Sequence, residues 1–149
     1  MIYQDVLDSI QLTAYAHDIN RRARALGRTE QVTADTLRDR ILESHGRCEW
    51  CGNTLVNKAF EIDHIYSLAS GGNNVPNNLV VACVRCNRHK ANIHPVRFAL
   101  EHVARGGKRT ELVNRLLNEY SAQPRIQLTL FDDELSANDE QSDEGRYRW

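Results

Sequence analysis

The sequence predicts an α+β chain: a short β-containing centre pinned by cysteines, with helices on both sides and an acidic, intrinsically disordered C-terminal tail. Three observations carry this reading. Two Cys-x-x-Cys pairs bracket the centre, apolar residues recur at helical spacing on either flank, and the charge changes sign near residue 127. The chain has 149 residues, 41% of them hydrophobic, which suits one domain with a modest core. The expected organisation is a helical region over residues 1–46, the cysteine-pinned core over 47–94, helices over 95–123, and the tail over 124–149.

Each element has a local reason. Ile2, Val6, Leu7, Ile10, Ala14 and Ile19 fall at helical spacing, so a first helix is expected from about Tyr3 to Leu26, stopped by Gly27. Thr33 is a natural N-cap for a second helix reaching about His45, with Leu37, Ile41 and Leu42 on one face and Gly46 as its stop. Strands are expected after Lys58 and at Leu79 to Ala82. Pro95 opens a helix to about Arg105, Gly106-Gly107 breaks it, and Thr110 caps a last helix that ends before Pro124.

No apolar run approaches the roughly 20 residues of a membrane span. Asp5 and Asp8 stand where a signal peptide would carry Lys or Arg, so a cytoplasmic, non-membrane protein is expected. The net charge of −1 hides a division. Residues 1–126 hold 17 Lys and Arg against 13 Asp and Glu, and residues 127–149 hold 2 against 7. Between 85 and 115, Arg85, Arg88, Lys90, Arg97, Arg105, Lys108, Arg109 and Arg115 face only Glu101 and Glu111, an excess that attracts a polyanion.

In a reducing compartment four cysteines serve better as metal ligands than as disulfides. Cys48-x-x-Cys51 and Cys83-x-x-Cys86 can each direct two sulfurs at one ion, and zinc takes four thiolates in a tetrahedron. A closed, structural zinc site is expected, joining the two strands and replacing core that so short a segment cannot build.

Between and just beyond the knuckles lie Asp63-His64-Ile65, Gly71-Gly72, Asn78-Leu79, and Asn87 with Lys90 three residues on. In order and spacing this segment resembles the zinc-knuckle branch of the HNH endonuclease family, whose ββα-metal fold is a hairpin followed by a helix. Ser67 stands near where the family often has Pro, and Asn87 stands where the family is named for His, a common variant. The resemblance implies cleavage of DNA, with His64, Asn78 and Asn87 as the catalytic set. It also implies a catalytic divalent metal, magnesium or alternatively manganese, on Asp63 and Asn87.

The residue types suit that chemistry. Phosphodiester hydrolysis needs a base for the attacking water and a cation for the charge that builds on phosphate. An imidazole accepts a proton near neutral pH, which fits His64 as base. One carboxylate and one amide oxygen form the sparse hard-ligand set that magnesium tolerates. Asn78 is expected to orient the loop that bears the base. Regular strand geometry would send Asp63 and His64 to opposite faces, so an irregular backbone is expected at His64. Arg85, Arg88, His89, Lys90 and Arg97 are the expected DNA contacts. Arg21, Arg22, Arg24 and Arg28 either extend that surface or complement the dipole of the first helix. His17 and His102 read as helical packing or surface residues, and His45 and His94 as helix-boundary residues.

The tail carries QLTLF at residues 127–131, followed by Asp132, Asp133 and Glu134. It resembles the pentapeptide by which bacterial polymerases and repair proteins bind the replication sliding clamp, which implies contacts through Gln127, Leu128, Leu130 and Phe131. The alternative is an edge strand closing on the body. Two other functional readings share the motif: a non-catalytic zinc-knuckle DNA-binding or adaptor protein, and an RNA-cleaving nuclease. The sequence sets no oligomeric state.

Overall fold

A computed structural model describes residues 9–122. The start expected for the first helix (Tyr3 to Asp8), the tail and the QLTLF residues lie outside the described residues.

Helix α1 (Ser9–Ala25) buries Leu12, Ala16, Ile19 and Ala23, one stripe of a helix. Gly27 ends it with φ +77°. Helix α2 (Ala34–Glu43) starts as expected, with the Thr33 hydroxyl accepting from Thr36 N–H, and it packs Leu37 and Ile41 inward. It stops at Glu43 rather than continuing to His45, because His45 and Gly46 turn left-handed, at φ +51° and +67°.

Strand β1 (Phe60–His64) pairs antiparallel with β2 (Leu79–Cys83), from Phe60 opposite Cys83 to His64 opposite Leu79. The free edge of β1 faces α1, where the Tyr15 hydroxyl accepts from Ile62 N–H at 3.1 Å and donates to Ile62 C=O at 3.3 Å. One side chain thus satisfies both backbone groups that Ile62 presents on the free edge. Between the strands, Gly72 lies so close to Tyr66 that a Cβ there would stand 1.9 Å from its carbonyl oxygen, so only glycine fits.

β2 runs directly into α3 (Val84–Lys90), with Cys83 as the N-cap. Helix α4 (Pro95–Ala104) follows, capped by the His94 ring, and α5 (Glu111–Ala122) completes the described chain. Thr110 Oγ1 accepts from Val113 N–H and donates to Glu49 C=O at 2.6 Å, which pins α5 to the first knuckle. Trp50, inside that knuckle, is fully buried with its ring edge-on to Phe98 of α4 at 4.9 Å. Such a pair adds about 0.5–1.5 kcal/mol beyond its area. The result is a mixed fold, a small antiparallel sheet among helices, that holds four cysteines together. No helix among the described residues is long and apolar enough to cross a membrane.

Candidate active site and metal centre

The sulfurs of Cys48, Cys51, Cys83 and Cys86 lie within 4.8 Å of one another, and those of Cys51 and Cys83 are 4.0 Å apart. A tetrahedral zinc with bonds of about 2.3 Å requires sulfurs about 3.8 Å apart, so the cluster fits such an ion with little movement. Hydrogen bonding from the Cys86 thiol brings Cys48 down to about 5 against the effect of burial. The same bond pushes Cys86 up, and burial raises Cys51 to about 11. Thiols gathered this closely form a ligand set that gives up protons when a metal binds.

On β1 the side chains alternate, with Phe60, Ile62 and His64 buried and Glu61 and Asp63 half-buried on the other face. The irregular backbone expected at His64 is absent: the ladder continues regularly through Asp63 opposite Val80 and His64 opposite Leu79. What brings the pair together is the Asp63 side chain. Its Oδ1 curls back to accept the His64 backbone N–H at 2.8 Å and comes within 3.9 Å of His64 Nδ1. The chain departs from strand geometry only after His64. There Asn78 C=O accepts from Ile65 N–H at 2.7 Å and Asn78 Oδ1 accepts from Tyr66 N–H at 2.9 Å. Asn78 Nδ2 donates to Tyr66 C=O and Asn73 C=O, at 2.9 and 2.8 Å.

A cleft of about 410 Å³ opens between α1, β1 and α3, lined by Tyr15, Asp18, Arg22, Glu61, Asp63 and Asn87 among others. Asp63 and Asn87 therefore line one cleft. Asn87 Nδ2 donates to Glu61 Oε2, which fixes the amide on its nitrogen side and leaves Oδ1 as its free acceptor. Burial raises the Asp63 pKa, but its approach to His64, whose backbone N–H it accepts, and the charge of Lys90 outweigh it and hold the carboxyl below the usual range. His64 does not line the cleft. It is 3% exposed, with Nε2 3.0 Å from Asn74 Oδ1 and Nδ1 toward Asp63.

The expected DNA contacts divide. Arg85, Arg88 and His89 are exposed on α3, and Arg97 is exposed on α4 with Nε 3.1 Å from Glu101. Lys90 is 1% exposed, its Nζ 6.0 Å from the Trp50 ring centre and without a hydrogen-bond partner among the described residues. It therefore meets no solvent in this conformation. Of the α1 arginines, Arg22 reaches the cleft. Arg28 is occupied by the Gly71-Gly72 loop, donating to Gly72 C=O at 2.8 Å.

Sequence reasoning missed Glu61, Asn74, Tyr15 and Asn20. Only Glu61 left a signal, its position two residues before Asp63 on the same strand face.

A family model described as HNH endonuclease matches residues 48–92. Over 60 residues the chain is 43% identical to the CRISPR-associated endonuclease Cas9 of Actinomyces naeslundii, a stretch that covers 39% of this chain and 5% of that protein. The chain thus spans about one-twentieth of that relative. Among solved structures, the Type IV phosphorothioation-dependent restriction endonuclease ScoMcrA aligns over 75% of this chain and 24% of its own, at 21% identity and a TM-score of 0.38. With the two knuckles gathered into one cluster and Asp63 and Asn87 brought into one cleft, residues 48–92 form an HNH endonuclease domain.

Proposed function

We propose that this chain hydrolyses DNA phosphodiester bonds, with His64 as general base and a magnesium ion, or manganese in its place, held by Asp63 and Asn87. The observation that carries the reading is the meeting of Asp63 and Asn87 in one cleft, with Glu61 accepting from the Asn87 amide nitrogen and leaving its oxygen available as a ligand. A depressed carboxyl and one amide oxygen suit a hard divalent cation that keeps most of its water. When bound, that ion supplies positive charge to the phosphate and to the departing oxygen.

The chain's own residues do the rest. His64 takes a proton from a water molecule as the water oxygen bonds to phosphorus. The bond from phosphorus to the leaving sugar oxygen breaks, and that oxygen is protonated by solvent. Asn78 holds the backbone immediately after His64. Arg22, at the cleft wall, is placed to meet phosphate oxygens. Arg85, Arg88, His89 and Arg97 extend the contact along the backbone, so binding is salt-sensitive and reads little sequence. The cysteine cluster holds zinc as a structural ion. Delivery by a sliding clamp through residues 127–131 belongs to the same proposal and rests on their sequence alone.

The test is conversion of supercoiled plasmid with magnesium, with manganese or with chelator, by wild type, His64→Ala and Asn87→Ala. Metal-dependent nicking or cutting that both variants lose is expected. Undiminished cleavage in chelator, or by His64→Ala, would sink the mechanism, and binding without any cleavage would favour the adaptor reading.

A further inference from the structure

Asn74 belongs to none of the motif positions, yet it is fully buried and its amide faces the His64 ring. We propose that Asn74, itself held by Asn20 of α1, is a positioning residue that fixes His64 as its Nε2–H tautomer, so that Nδ1 is the nitrogen that takes the proton. The inference rests on His64 as base. It adds which ring nitrogen acts and what decides it.

The assignment follows from backbone groups whose roles cannot change. A backbone carbonyl only accepts, so the Asn74 atom 2.9 Å from Glu30 C=O is the amide nitrogen. The other atom is then Oδ1, and it lies 3.0 Å from His64 Nε2. An amide oxygen also only accepts, so Nε2 carries the hydrogen. Asn20 is fixed in the same way. Val32 N–H only donates, so the atom it meets at 2.9 Å is Asn20 Oδ1, while Nδ2 donates to Val32 C=O at 2.9 Å. The second N–H of Asn74 goes to Asn20 Oδ1 at 3.0 Å. Turning either amide over would set oxygen against oxygen and nitrogen against N–H, away from water, where an unmade hydrogen bond is costly.

In a neutral ring with hydrogen on Nε2, the lone pair sits on Nδ1, the nitrogen 3.9 Å from Asp63 Oδ1. The base is thereby turned toward the carboxylate proposed to hold the ion. Asn20 lies outside residues 48–92, so α1 belongs to the active apparatus of this chain.

The experiment is the long-range 1H–15N imidazole spectrum of the full chain at a pH where the ring is neutral, with His64→Gln identifying the signal. Wild type should show the Nε2–H pattern. Asn74→Ala and Asn20→Ala should each give a mixture of tautomers. Asn74→Ala should also lower kcat on plasmid roughly 10- to 100-fold with KM unchanged. Asn74→Asp keeps an acceptor against Nε2 and should keep the Nε2–H signature. An Nδ1–H pattern in wild type overturns the proposal on its own, whatever the variants' folding, as does an unchanged tautomer in folded Asn74→Ala. An unchanged spectrum in Asn20→Ala overturns the extension to α1. Cleavage with an Nδ1–H ring would defeat this inference and leave the nuclease reading intact. An Nε2–H ring in a chain that never cleaves would do the reverse.

Discussion

Asn78→Ala tests whether the backbone after His64 is held as the structure indicates. The side chain, 8% exposed, makes three hydrogen bonds of 2.8–2.9 Å, one accepted from Tyr66 N–H and two donated to Tyr66 C=O and Asn73 C=O. At a net ~1 kcal/mol each, they contribute about 3 kcal/mol. Tyr66 and Asn73 are themselves exposed, so water can reach part of what alanine would abandon, and a loss of about 2 kcal/mol is the better figure. Asn78→Asp is the sharper variant. It keeps the acceptor for Tyr66 N–H but turns a carboxylate oxygen toward two carbonyls, so it should cost at least as much as alanine although it is nearly isosteric. The assay is urea unfolding at fixed zinc, with both variants shifting the midpoint at unchanged slope. Plasmid cleavage should fall in parallel. An Asn78→Ala midpoint within about 0.5 kcal/mol of wild type, or an Asn78→Asp protein as stable as wild type, would refute the reasoning.

Other consequences can be checked separately. Glu61→Ala frees the Asn87 amide to rotate and should raise the magnesium needed for half-maximal cleavage roughly tenfold, whereas Glu61→Gln, which keeps an acceptor, should stay near wild type. Identical magnesium titrations for Ala and wild type would remove Glu61 from the site. Lys90→Met removes a buried ammonium that has no hydrogen-bond partner among the described residues and should stabilise the chain by about 1–3 kcal/mol. Burial depresses the Lys90 pKa in the folded state, so the unfolded chain binds the extra proton between that value and ~10.4. Wild-type stability should therefore gain from this group as alkaline pH rises through that window, and Lys90→Met should lose that slope. Cys83→Ser should lower zinc content and unfold the domain, as followed by metal analysis and circular dichroism, and a folded variant with full zinc would contradict the four-cysteine site. A peptide of residues 124–135 should bind a bacterial sliding clamp, with Leu130→Ala plus Phe131→Ala abolishing it; no binding ends that reading.

What the sequence revealed depended on how local each cause is. Paired cysteine spacing, the Thr33 and Thr110 caps and Pro95 at a helix start act over a turn or less, and all appear where expected. The side of the strand occupied by His64 was also readable. Strict alternation sends it inward with Phe60 and Ile62, and the expected kink is unnecessary because the Asp63 carboxylate bends back instead. The position of Lys90 follows from Cys86 one turn earlier: a helix that aims Cys86 at the cysteine cluster must turn the residue four positions later inward as well. No such rule reaches Asn74. Its partners Asn20 and Glu30 lie 54 and 44 residues away, joined only when α1 packs beside the β1–β2 connection.

The cysteine cluster and the Asp63–Asn87 cleft share one hinge of sequence. Cys83 closes β2, supplies a sulfur to the cluster and caps α3, its Sγ accepting from Cys86 N–H at 3.4 Å. Asn87 lies one residue beyond Cys86 on that same short helix. A seven-residue helix has no independent stability, so its orientation is set by whatever fixes its first turn. Here that is the cysteine cluster. On the other side, Glu49, between Cys48 and Cys51, accepts from Val81 N–H at 2.6 Å and pairs with Arg40 at 2.8 Å, locking the first knuckle to β2 and α2. Asp63 rides on β1, in register with β2. The distance between the two proposed ligands of the catalytic ion is therefore set through the cysteine cluster. On the proposed reading a loosened cluster would shift Asn87 relative to Asp63, so loss of the ion proposed at the cysteines would disturb the proposed catalytic ion through geometry as well as stability.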